Sequence, residues 1–106
     1  MIPCTCLVQE GQISSAIESA LRSKLDGFAH EAFGVGVNIN WIEVPKTGGF
    51  TASKPSTSSL VLIQAPVAVE QDKRAVLLGE LCNGWASETG QTLNEVVGVI
   101  SDPAAA

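Results

Sequence analysis

The most reactive side chains in this chain are three thiols and one imidazole. Cys4 and Cys6 stand two residues apart, so on an extended strand both point to the same side. A thiol becomes a nucleophile only where a base or a positive field lowers its pKa, and His30 is the sole imidazole that could act as that base. With Cys82, the same residues could in principle supply four zinc ligands. The plainer reading is that buried Cys serves as a small hydrophobe and that His30, near a helix end, is a favourable C-terminal charge. No metal and no cofactor are therefore expected. An odd number of cysteines also argues against a disulfide framework. Thr47-Gly48-Gly49 has no strand-to-helix turn around it and reads as a flexible turn rather than a phosphate loop. Trp41 and Trp85 suit a core or a subunit interface, with stacking on a ligand as the alternative.

The elements that must position these groups follow from periodicity. Ile2 to Gln9 is β-branched and thiol-rich and stops at Glu10-Gly11, as a strand ending in a turn does. Ser15 and Glu18 make an S-x-x-E capping box, after which Ile17, Leu21, Leu25, Phe28 and Ala32 recur at helical spacing. Gly34 sits where a left-handed cap is wanted. From Val35 to Val44, Val35, Val37, Ile39 and Trp41 alternate with polar or small residues. Pro45 to Ser59 is a polar connection of roughly fifteen residues, a length at which loops are often functional. Leu60 to Ile63 is a continuous apolar run, as in a strand buried on both faces. Glu70 to Glu88 is a second amphipathic helix with Val76, Leu77, Leu78, Leu81, Cys82 and Trp85 on its apolar side, closed by Gly90. Asn94 to Ser101 is a last strand.

The two halves thus repeat strand, helix, Gly and strand at an offset of roughly 56 to 58 residues, a duplicated βαβ. We expect one α+β domain over 1–106, with a first unit at 1–45, a loop at 46–58 and a second unit at 59–106. Right-handed crossovers make the strands of each unit parallel, and two units side by side give a four-stranded sheet with both helices on one face. The other face carries Ile42, Val44 and either Val61 or Leu62, an apolar surface that copies of the chain can bury between them.

Composition narrows the partners. With 106 residues and 45% hydrophobic side chains, the chain supports one modest core. A net charge of −5 and only six Lys and Arg give no footprint for nucleic acid. No run approaches the roughly 18 apolar residues of a membrane span, and the start lacks the pattern of a signal peptide. A soluble, cytoplasmic protein is expected.

The duplicated βαβ, the opening CTC followed by QEG, the helix ending HEAFG, the run VNINWIEVP and the segment FTASKP resemble the tautomerase superfamily. Within it they are similar to the long, duplicated branch that includes cis-3-chloroacrylic acid dehalogenase and malonate semialdehyde decarboxylase. The resemblance implies a MIF-like, 4-oxalocrotonate tautomerase-like fold and a homotrimer. It also implies an isomerase or lyase acting on a small keto or enol acid through an amino-terminal proline. On these positions the catalytic candidates are Ile2, Pro3 and His30, and the substrate-binding candidates are Phe50, Lys54 and Trp41.

The chain departs from the pattern where the proton is moved. A gap-free alignment puts Ile2 in the proline slot, and the nitrogen of an internal Pro3 is acylated, carries no proton and is not basic. Sliding the strand by one residue would turn every side chain to its opposite face. The family His falls on Ala29, next to His30, and the stretch where carboxylate-holding arginines follow the third strand is Gln64, Ala65, Pro66 and Val67. The aromatic position of the last strand falls on Gly98 or Val99, and the closing segment is reduced to Pro103-Ala104-Ala105-Ala106. The chain therefore reads as a tautomerase-like protein of weak or altered activity. The alternative is a noncatalytic module that binds a small organic acid or serves as a trimeric interaction protein.

Overall fold

The computed structural model describes residues 1–45, 48–51 and 53–103, so part of the Thr47-Gly48-Gly49 turn and the alanines after Pro103 lie outside it. Strand β1 (Ile2–Gln9) leads into helix α1 (Ser15–Phe33) and strand β2 (Val37–Val44). A two-residue hairpin, β3 (Phe50–Thr51) with β4 (Lys54–Pro55), occupies the polar connection. Strand β5 (Ser59–Gln64), helix α2 (Gln71–Thr89) and strand β6 (Val96–Ser101) repeat the first unit. The hairpin escaped the periodicity argument because strands of two residues have no period to read.

The sheet runs β2-β1-β5-β6. Each unit pairs its own strands in parallel, and the units meet through antiparallel β1 and β5, with Cys4 opposite Ile63 and Cys6 opposite Val61. Both helices lie on one face. There Ile2, Cys4, Cys6 and Val8 of β1, Val61 and Ile63 of β5, and Val96 and Ile100 of β6 meet Leu21, Leu25 and Ala29 of α1 and Leu77, Leu81 and Trp85 of α2. Period-2 alternation turns Leu7, Ile42, Val44, Leu60, Leu62, Val97 and Val99 to the opposite face, which no helix covers.

Several local readings shift. The N-cap of α1 is Ser14, whose Oγ accepts the Ile17 N–H at 3.2 Å, so the expected Ser15–Glu18 box does not form; Glu18 instead pairs with Arg22 at 3.0 Å. Strand β5 is buried on one face only, with Val61 toward the helices and Leu62 on the bare side. An unbroken apolar run carries no parity from which to tell these apart. Val76 belongs to the outer side of α2 and is exposed. Asn94 lies in a single 3-10 turn, Leu93–Glu95, ahead of β6. Gly34 and Gly90 both take left-handed conformations, at φ 74° and 79°, and donate their N–H groups back into the helices they end.

At the end of β6, Asp102 accepts the Val69 N–H at 3.0 Å and pairs with Arg74 at 2.7 Å. These contacts, the backbone one first, hold its carboxyl below its ordinary value of 3.8. A depressed folded-state pKa favours the folded form above the ordinary value and loses that contribution as pH falls through the lowered one. We therefore expect Asp102→Asn to be less stable than wild type at neutral pH and to have a shallower loss of stability below about pH 4. Thermal melts across that range check this, and parallel acid limbs in the two proteins would refute it.

Candidate functional site

The sheet has two ends that matter, and the chain furnishes them differently. At the first, β1 begins. Ile2 is 7% exposed, its side chain among the core residues on the helix face, and its backbone N–H donates to the Gly36 carbonyl at 3.0 Å. Pro3 points to the bare face and is exposed. Above Gly36, Asp26 accepts the Val37 N–H at 3.1 Å through Oδ1, and its Oδ2 lies 3.5 Å from His30 Nε2. Gly36 lets these side chains come close, since a Cβ there would fall 2.6 Å from Asp26 Oδ1 and 3.2 Å from His30 Nε2 and would push both aside. His30 is thus held at the rim of the Ile2 end, on the solvent side of a buried backbone.

At the same end of the sheet, the segment after β5 and the first turn of α2 form a groove of about 400 Å³ with Phe33, Val67, Val69 and Lys73 in its walls. Lys73 lies outside Gln64 to Val67, the stretch to which the resemblance assigns carboxylate-holding arginines, and so escapes the sequence argument. One helical turn beyond that stretch puts a cation at the same edge, and helix periodicity was the signal that could have found it. Arg74, its neighbour, is committed elsewhere, donating to the Ile100 and Val69 carbonyls at 3.0 and 2.8 Å as well as to Asp102.

The hairpin carrying Phe50 and Lys54 packs at the opposite end of β1. Gln9 donates to the Ser58 carbonyl at 3.4 Å and Gln12 to the Thr57 carbonyl at 2.9 Å. At about 3.3 Å per residue, the length of β1 puts this end roughly 23 Å from Ile2. Ile2, Pro3 and His30 are therefore gathered at one end, while Phe50 and Lys54 stand at the other within the same protomer.

Trp41 joins neither group. It is on the helix side of β2, stacked on Trp85 at 6.0 Å between ring centroids with 24° between planes, and the Arg22 guanidinium lies 5.8 Å from its ring. The Trp85 indole N–H donates to Gln91 Oε1 at 2.8 Å.

Cys4 and Cys6 point into the core with their sulfurs 3.9 Å apart. The contact with Cys4 and then burial push the Cys6 thiol above the ordinary thiol range. A protonated, enclosed thiol is no nucleophile. Among the described residues no three potential metal ligands come together.

This architecture is found in known structures. Ps01740 superposes with a TM-score of 0.88 over 97% of this chain and 95% of its own, at 21% identity. A wild-type fused 4-OT symmetric trimer gives 0.83 over 95% and 85%, at 17% identity. N1, a member of the cis-3-chloroacrylic acid dehalogenase family, gives 0.85 over 95% and 74%, at 10% identity. The fold is that of the tautomerase superfamily. No protein-family model and no curated protein sequence matches the chain. The tautomerase fold expected from CTC, HEAFG and FTASKP is the fold the chain adopts, down to two helices on one face of a four-stranded mixed sheet. Among the described residues no helix is long and apolar enough to cross a membrane.

Proposed function

We propose that this chain is a tautomerase-superfamily protein that assembles as a homotrimer and no longer moves protons at enzymatic rates. The observation that carries this reading is the Ile2 nitrogen. It is a peptide amide, buried and already donating to Gly36 at 3.0 Å, in the strand position where the family resemblance implies a basic amine. An amide has no basic lone pair to offer, and proton transfer by a matched base is worth roughly a hundred- to ten-thousand-fold. The groove beside Lys73 is the seat for a small organic acid, bound rather than converted. Free thiols at Cys4, Cys6 and Cys82 suit a reducing compartment, which supports a cytoplasmic setting.

The uncovered sheet face supports the trimer, and the wild-type fused 4-OT neighbour is itself a symmetric trimer. In such an assembly Phe50 and Lys54 can meet the Ile2 end only by crossing from one copy to the next.

The second reading is an isomerase or lyase acting on a small keto or enol acid. It rests on Pro3, which is exposed and one residue from Ile2, so that cleavage after Ile2 would create an amino-terminal proline. Intact mass separates the two readings, because a mature chain beginning at Pro3 supports the enzyme. The decisive experiment is a tautomerase assay on phenylpyruvate with wild type beside Ile2→Pro. We expect no wild-type turnover. A wild-type rate around 1 per second or more would overturn the proposal, whereas activity in the variant alone would mean that the pocket survived the loss of its base.

A further inference from the structure

The groove of about 400 Å³ at the Ile2 end lies where the last turn of α1 faces the connection from β5 into α2. Its apolar lining includes Phe33 from the helix and Val67 and Val69 from the connection, and its charged lining is Glu70 and Lys73. No described residue of the bare sheet face belongs to it, so copies packed on that face do not use up its walls. Its volume is within the range of small-molecule sites.

The apolar lining is held by contacts made behind it. The Phe33 ring meets Phe28 edge-on, with 6.5 Å between centroids and 86° between planes. Val69 is pinned through both of its backbone groups, the N–H donating to Asp102 at 3.0 Å and the carbonyl accepting from Arg74 at 2.8 Å. The charged lining is not committed in this way. Glu70 is the N-cap residue of α2 and makes no capping bond with its side chain, and Lys73 is the third residue of the same helix. Both are exposed, and among the described residues neither enters an ion pair. A carboxylate and an ammonium group thus stand about one helical turn apart beside an apolar groove, each with its charge to offer.

We propose that this groove binds a free α-amino acid with an apolar side chain, its carboxylate on Lys73, its ammonium group on Glu70 and its side chain among Phe33, Val67 and Val69. The inference rests on the reading of the groove as a ligand seat, and it narrows the organic acid to one that also carries an amine. A plain carboxylic acid satisfies Lys73 but meets the like charge of Glu70, whereas a zwitterion complements both. Selection against the plain acid is thereby built in. A residue inside a peptide carries neither charge, and a peptide end carries only one, so the free amino acid is the better match. Exposed ion pairs are each worth little, so most of the affinity comes from burying the apolar side chain.

The test is a backbone amide NMR titration of the isotope-labelled full chain, in its own assembly state, with three compounds: L-phenylalanine, 3-phenylpropanoate, which lacks the amine, and 2-phenylethylamine, which lacks the carboxylate. Saturable shifts confined to Phe33, Val67, Val69 and Lys73 and their immediate neighbours are expected with phenylalanine, and each analogue should bind at least about threefold more weakly. Glu70→Gln should erase the preference over 3-phenylpropanoate, and Lys73→Gln the preference over 2-phenylethylamine. Both positions are exposed, and should a variant fail to fold, the three compounds on wild type still decide. The proposal is overturned by phenylalanine shifts that scatter or do not saturate, by either analogue binding as tightly as phenylalanine, or by a folded variant that keeps both preferences. Saturable binding of 3-phenylpropanoate at the same amides, as tight as that of phenylalanine, would sink this inference and leave the organic-acid seat standing. No binding by any of the three would remove both.

Discussion

Leu62→Asp should convert the proposed trimer to monomers at micromolar concentration, as read by light scattering or sedimentation. Leu62 stands on the uncovered face, opposite Thr5 on one side and Val99 on the other, with Leu7, Leu60 and Val97 around it. On a free monomer a carboxylate there would be solvated at little cost. Between copies it would lose that water with no cation to meet it, a penalty of at least several kcal/mol. In the proposed trimer three copies would each bring one such charge to the covered face, so the penalties would add. Val76→Asp is the control, because Val76 is 62% exposed on the outer side of α2 and should leave the mass unchanged. A wild-type monomer, or a Leu62→Asp protein of unchanged mass, would remove the sheet face from the proposed assembly.

Trp85→Ala is expected to cost about 3–5 kcal/mol of folding stability, measured by urea or thermal unfolding at fixed protein concentration. Trp85 is 2% exposed, ties the helix layer to β2 through its stack on Trp41, and donates to Gln91. Truncation opens a cavity and also takes one donor from the glutamine that anchors the Ser59 loop. Against a typical total of about 5–15 kcal/mol, this is a large share of what the domain has. Trp85→Phe keeps a ring in the stack and loses the indole N–H, so it should cost less than half as much. A loss below about 1 kcal/mol for the alanine variant would show that the core does not depend on this residue.

The fold was legible in the sequence where periodicity and punctuation agreed. Gly34 and Gly90 mark both helix ends, and alternation in β2 alone puts Ile42 and Val44 on the open face. Legibility failed where the physical signal was absent. In Leu60 to Ile63 every residue is apolar, so nothing chose between Val61 and Leu62. Adjacent serines offered two N-caps with the same chemistry, and the chain used Ser14.

The candidate site was harder to read because it depends on which ends of the sheet come together. His30 and Ile2 are 28 positions apart in the chain and meet through Gly36, whose part no single-residue argument would disclose. Phe50 and Lys54 carry side chains suited to a ligand, but strand direction, a property of the whole sheet, sends them to the far end. The indole of Trp41 suits a ligand platform or a core equally well; its stack on Trp85 puts it against the helices.

The strand order has a consequence for how the chain is made. Of these four strands β1 leaves the ribosome before the others, yet it is an inner strand of the finished sheet, with β2 on one side and β5 on the other. Its first edge can be covered once Val44 has emerged, but its second must wait for Ser59–Gln64, separated from it by a helix, a strand and the hairpin. Until then an apolar strand presents open backbone groups to any other nascent chain. Pairing across so long a loop is also slow relative to local structure. At synthesis rates of about 5–20 residues per second the interval is seconds, long enough for the half-made sheet to be a chaperone substrate.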